Sequence, residues 1–211
     1  MTHNFKNFPS IENMDDLAAA HFIDTAVKKI DDFKPSMTFI ERIGDYSESL
    51  RVLDFGCGLG RNCVGMLDYS RKWIVWGYDH QKMIERGKKF YGNKLVENDR
   101  LFLTDDWNMI IDYAANSRKK GKFFDAIFTS LVLQHIDLDE LRKYLDDFTR
   151  MTDMLCVVSR RASDVNWTKS SFVSVWNVIS EKFDGIELDK GLIEGNDPND
   201  HHFGIFQPAK E

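Results

Sequence analysis

The sequence predicts an α/β protein. Its expected frame is a seven-stranded, mostly parallel sheet with helices on both faces, a C-terminal antiparallel hairpin and an N-terminal helical cap. Three observations carry this. Five short apolar runs begin at residues 51, 73, 100, 124 and 154. The residues that close the first four, Asp54, Asp79, Asp105 and Ser130, stand 25, 26 and 25 residues apart. That interval holds a strand, a loop, a helix and a return loop, the repeat of a parallel sheet with right-handed crossovers. A glycine cluster follows the first run directly, at the edge where such sheets bind ligands.

The elements follow in order. Residues 11–32 read as a helix, because Leu17, Ala20, His21, Ile23, Ala26, Val27 and Ile30 recur at spacings of three and four. Pro35 and Ser36 break the pattern, and Ser36 can cap a second helix to about Ser49. The runs 51–55 (RVLDF), 73–79 (WIVWGYD), 100–105 (RLFLTD), 124–130 (FDAIFTS) and 154–159 (MLCVVS) are apolar on both faces, as buried parallel strands are. Residues 61–70, 81–91 and 138–151 supply helices between them. A helix near 168–183 precedes two late strands, 185–192 and 202–207. The stretch between these, 194–200, is rich in Gly, Asn, Asp and Pro, as a turn should be. The chain reads as one domain: a cap over 1–50, a core over 51–160 and an acceptor-side helix and two strands over 161–211.

Composition narrows the function. With 43% hydrophobic and 29% charged residues, the 211-residue chain has the make-up of a folded protein. A net charge of −6 gives no global basic field, which disfavours a generic nucleic-acid binder. The excess acids lie in the ends of the chain: residues 1–50 hold 9 acids against 5 bases, and 186–211 hold 6 against 2. Cys57, Cys63 and Cys156 form no CxxC pair, so neither a disulfide framework nor a structural zinc site is expected, and no metal is assigned. The N-terminus lacks a signal-peptide pattern and no stretch of 18 apolar residues exists, so the expectation is a cytoplasmic protein with no membrane partner.

The strongest motif is Asp54-Phe55-Gly56-Cys57-Gly58-Leu59-Gly60-Arg61. Its glycines let the backbone turn sharply and approach a ligand. A helix starting near Arg61 would turn its first amides toward the same place. The spacing is G-x-G-x-G with an acid two residues ahead, and Arg61 stands where a nicotinamide-binding G-x-G-x-x-G loop needs its third glycine. The motif resembles motif I of the class I S-adenosylmethionine (SAM) methyltransferases, a Rossmann-like family in which the loop wraps the methionine part of the cofactor.

The resemblance extends in order across residues 50–160 and implies a cofactor site. Asp79 matches the acid that accepts both ribose hydroxyls, a task suited to a carboxylate. His80 would lie against adenine and Met83 completes the register, although Gln81 and Lys82 replace residues commoner there. Asp105 or Asp106 would take the exocyclic amino group of adenine, and Trp107 would pack on the purine. The run 123–136 (FFDAIFTSLVLQHI) resembles motif IV and the short helix after it, which brings Ser130 and Leu131 to the cofactor. The cofactor implied is SAM, with S-adenosylhomocysteine (SAH) as product.

Methyl transfer from a sulfonium is an in-line displacement in which protein groups orient and desolvate. A base is needed only if the acceptor must lose a proton, and His135, His201 and His202 are the candidates. Strand four ends in Thr129-Ser130-Leu131 without an Asn/Asp-Pro-Pro-aromatic run, no Pro-Cys pair exists, and no acid cluster follows. DNA amino-methylation, C5-cytosine methylation and a magnesium-dependent catechol-type site are therefore disfavoured. The expected partner is a small-molecule or saccharide-like acceptor. Arg160 and Arg161 could hold an anionic group of it. The aromatic stretches 5–9 and 165–168, which includes Trp167, could cover it as a lid. The competing expectation is a catalytically inactive SAM-binding or scaffold protein of the same fold.

Overall fold

A computed structural model describes residues 34–91, 99–116, 123–160, 172–189 and 201–209. Its strands are β1 (Arg51–Phe55), β2 (Ile74–Tyr78), β3 (Leu101–Thr104), β4 (Ala126–Ser130), β5 (Leu155–Arg160), β6 (Phe183–Asp189) and β7 (His201–Pro208). Its helices are α1 (Lys34–Tyr46), α2 (Arg61–Tyr69), α3 (Gln81–Tyr91), α4 (Trp107–Asn116), α5 (Leu138–Met151) and α6 (Phe172–Ser180), with one 3-10 turn at Leu133–His135.

The seven strands form one sheet in the order β3-β2-β1-β4-β5-β7-β6. Strands β1 to β5 run parallel, and β7 pairs antiparallel with both β5 and β6. This is the expected frame. Strand order reverses between β1 and β4, which opens a crevice at their carboxyl ends.

Successive strand side chains point to opposite faces, and both faces are buried. Leu53, Phe55, Ile127, Val157 and Phe206 join one core with residues of α4, α5 and α6. Val52, Ala126, Phe128, Cys156, Val158 and Ile205 join a second with residues of α1 and α2. Helix α5 shows why the layers hold. Leu141, Tyr144, Leu145, Phe148 and Met151 are its buried residues, and their spacing makes a single stripe. Each such side chain, fully buried, contributes about 1.5–3 kcal/mol. Around Phe55 the core is aromatic: Trp107, Tyr144 and Phe148 meet its ring edge-on at 4.8–5.5 Å between centroids.

The structure adjusts several element boundaries. The second N-terminal helix ends at Tyr46 rather than near Ser49, and a Ser47–Ser49 turn follows, closed by hydroxyl-to-backbone bonds. Helix α6 ends at Ser180, where the amides of Glu181 and Lys182 bond Val178 and Ile179 carbonyls; β6 therefore begins at Phe183, ahead of the expected 185. Helix α4 is an addition between strands three and four. The expected helix over 11–32 and both lid stretches lie outside the described residues. Among the described residues, no helix is long and apolar enough to cross a membrane.

Candidate active site

The glycine loop begins where β1 ends. The Gly56 and Cys57 amides both donate to the Tyr78 carbonyl at 2.8 and 3.1 Å, tying the loop to the end of β2. Gly56, Gly58 and Gly60 have φ of 79°, 57° and 88°, a region L side chains avoid. At Gly58 a Cβ would meet only the Met83 methyl at 3.9 Å, so the loop is open at that position. Gly60 caps α2 in this left-handed conformation, and its carbonyl takes the Val64 amide.

Asp79, just past β2, is the loop's anchor. Its Oδ2 accepts the Gly58 amide at 2.7 Å and its Oδ1 accepts the His80 amide at 2.6 Å. Burial raises its pKa, and the two amides oppose the shift. Each carboxylate oxygen keeps a second acceptor position. His80 begins α3: its carbonyl takes the Met83 and Ile84 amides, and its Nδ1 accepts the Lys82 amide at 3.3 Å. The imidazole is thereby held beside Asp79. Met83 is buried against Leu59, and its methyl stands 3.9 Å from where a Gly58 Cβ would lie.

Asp54 is fully buried at the end of β1. Its Oδ2 accepts the Cys63 thiol at 3.4 Å, and its Oδ1 has no hydrogen-bond partner. Burial is the main cause that pushes its pKa up to about 7; the Cys63 thiol opposes that shift and the Asp79 charge adds to it. Cys57 shares a thiol hydrogen bond with Cys63 that lowers its pKa, but burial prevails and carries it up to about 11. Both cysteines are therefore packing thiols rather than nucleophiles at neutral pH.

At the third strand the two acids separate. Asp106 Oδ1 accepts the Asn108 and Met109 amides at 3.0 and 3.4 Å, so Asp106 is the N-cap of α4. Asp105 is exposed and has no such duty. Trp107 is only 5% exposed, within the aromatic core, and its Nε1 donates to Asp147 at 2.9 Å. The structure thus places Trp107 behind the cleft rather than across its mouth.

Strand β4 ends at the half-buried Ser130. Leu131 follows with φ 62°, the one non-glycine at positive φ among the described residues. Beyond it lies a buried polar pair that the sequence did not signal: Ser159 Oγ donates to Gln134 Oε1 at 3.2 Å, and Gln134 Nε2 stands 3.5 Å from His135 Nε2. His135 is buried in the 3-10 turn. His202 and His201 pair with Ser159 and Arg160 in the β5–β7 register, which sets these backbones at one sheet edge. Arg161 and Trp167 lie outside the described residues. Among those described, no cluster of three metal-ligating side chains occurs.

These residues fit a cationic nucleoside cofactor. The glycine loop is open at Gly58, Asp79 has acceptor positions left for a diol, and the buried Asp54 carboxyl beside the loop can ionise near neutral pH. Together with the strand order, they define the class I methyltransferase architecture. Residues 53–154, just under half of the chain, match the family described as "Methyltransferase domain". Over these residues the chain is similar to the methyltransferase-domain family.

Solved structures share the fold. The N-methyltransferase NodS from Bradyrhizobium japonicum WM9, in complex with SAH, is 16% identical with a TM-score of 0.61, over 82% of this chain and 85% of its own. Magnesium protoporphyrin IX methyltransferase (ChlM) from Synechocystis PCC 6803, with bound SAM, is 14% identical with a TM-score of 0.60, over 83% and 79%. The PH0226 protein from Pyrococcus horikoshii OT3 is 14% identical with a TM-score of 0.58, over 99% and 100%. No curated protein matches the sequence.

Proposed function

We propose that the chain moves a methyl group from SAM to a small-molecule or saccharide-like acceptor, as a single domain in the cytoplasm. The observation that carries this reading is the Asp79 carboxylate. Hydrogen bonds accepted from backbone amides by both of its oxygens hold it beside the glycine loop and leave lone pairs for the two ribose hydroxyls.

Bound SAM supplies an electrophilic methyl on a sulfonium. This chain's residues bind and orient. The Gly56–Gly60 loop gives the methionine moiety a close backbone approach, and buried Asp54 favours its positive charge. His80 offers a flat ring to adenine, and Asp105 the acceptor for the exocyclic amine. Asp106 is spent on its helix cap and Trp107 supports the cleft from behind. Ser130 and Leu131 face the cofactor from the β4 side. His135 and His202 are the base candidates, and Arg160, Arg161 and Trp167 the acceptor contacts.

The acceptor class rests on the apolar Leu131-Val132-Leu133 segment after β4, which replaces the base-reading motif of DNA methyltransferases. ChlM, by its name, acts on a small molecule. Calorimetry with SAH followed by an SAH-release assay across acceptors tests the reading. No SAH binding refutes it, and binding without turnover on any acceptor favours the inactive alternative.

A further inference from the structure

The crevice where the nucleoside would lie is nearly shut. Phe55, Gly56, Tyr78, Asp79, His80, Val132 and Ile136 enclose a space that leaves about 10 Å³ for the centres of water molecules, room for about one water. Ligand pockets run to about 300 Å³ and more. Two walls of the space belong to strand ends and to the loop tied down by Tyr78 and Asp79. The third belongs to the segment after β4, which is fastened differently.

Val132 sits directly on the loop. A Cβ at Gly56 would lie 2.2 Å from Val132 Cγ2 and 2.7 Å from Cγ1, so those methyls touch the bare glycine backbone. Leu131, just before it, is in the left-handed region at φ 62°. Its amide remains bonded to the Val158 carbonyl at 2.8 Å, which fixes the residue to β5 while the chain turns sharply toward Gly56. A leucine in this conformation is strained, and such strain persists only where surrounding contacts hold it.

We infer that Leu131 is a hinge and Val132 a plug: the cofactor enters only when the segment after β4 swings Val132 off Gly56. This rests on the SAM-binding reading and adds a gate to it. In the shut form Leu131 is left-handed and the Val132 methyls cover Gly56. In the open form Leu131 relaxes and the crevice admits the nucleoside. Apparent affinity is then reduced by the fraction of molecules that are open.

Two substitutions should move that fraction in opposite directions. Val132→Ala removes the methyls that hold the gate shut, so SAH association speeds up about fivefold. Leu131→Gly removes the strain of the shut form, so association slows about fivefold. Stopped-flow tryptophan fluorescence with SAH reads both, with thermal melting to show that each variant is folded. In the wild type the observed rate should level off at high SAH, limited by opening. Wild-type rates in both variants, equal-signed changes, or a wild-type rate that rises linearly without a plateau would overturn the gate. Absence of any SAH binding would instead overturn the SAM-binding reading, and the gate with it.

Discussion

Replacing Asp54 by Asn should change how stability depends on pH. Asp54 is fully buried, with one oxygen on the Cys63 thiol and the other unpaired. Its pKa rises from 3.8 in an exposed chain to about 7 in the fold. Between those values the folded state holds a proton that the unfolded state has lost, so stability falls as pH climbs from about 4 to about 7. At 1.36 kcal/mol for each pKa unit, the full loss is about 4 kcal/mol. Asn has nearly the same shape and no proton to lose. Its oxygen can take the Cys63 thiol, and its amide adds donors near Asn62, whose buried Oδ1 also lacks a partner. Urea unfolding of both proteins at pH 5, 6, 7 and 8, followed by tryptophan fluorescence, gives the difference directly. The wild type should lose about 2–4 kcal/mol relative to Asp54→Asn between pH 5 and 8. Parallel curves, offset by a constant at every pH, would show that Asp54 is ionised throughout and refute the reasoning.

Asp79→Ala should weaken SAH binding by about 100-fold or more, since charged hydrogen bonds contribute about 1.5–3 kcal/mol each; unchanged affinity by calorimetry would remove the ribose contact. Trp107→Phe should lower stability by about 1 kcal/mol through the lost Asp147 bond while SAH affinity holds. If affinity drops instead, Trp107 reaches the purine. Asp106→Ala should cost about 1 kcal/mol of stability as a lost N-cap, whereas Asp105→Ala should spare stability and weaken SAH binding. Equal effects of the two on both measurements would contradict the division between them.

Strands β1 to β5 were legible because a strand buried on both faces shows as a plain apolar run, and five of these recur at a regular interval. The loop was legible because its demand for left-handed backbone selects glycine at 56, 58 and 60. Helix α4 was less so. Trp107, Ile110 and Ala114 carry its buried face, but the acids before it also suit a ligand, and only the bonds from Asn108 and Met109 mark Asp106 as its cap. Trp107 drew attention as a stacker because a large aromatic after an acid suits either role. Its partner Asp147 lies 40 residues on, a pairing no local pattern reveals. Gln134 and Ser159 are hidden for the same reason, since each is an ordinary polar residue until the fold brings them together. The left-handed backbone of Leu131 gave no sign in the sequence, because its strain comes from tertiary contacts and not from its own preference.

The sheet order has a consequence for how the chain matures. Strand β7 comes after β6 in the sequence yet lies between β6 and β5. While the protein is being synthesised, the edge of β5 that later pairs with β7 stays bare until residues 201–208 have emerged. A bare apolar edge is a template for mispairing with other chains. The nascent chain thus carries this aggregation hazard until the His201–Pro208 strand has emerged, and that strand acts as the closure that ends it.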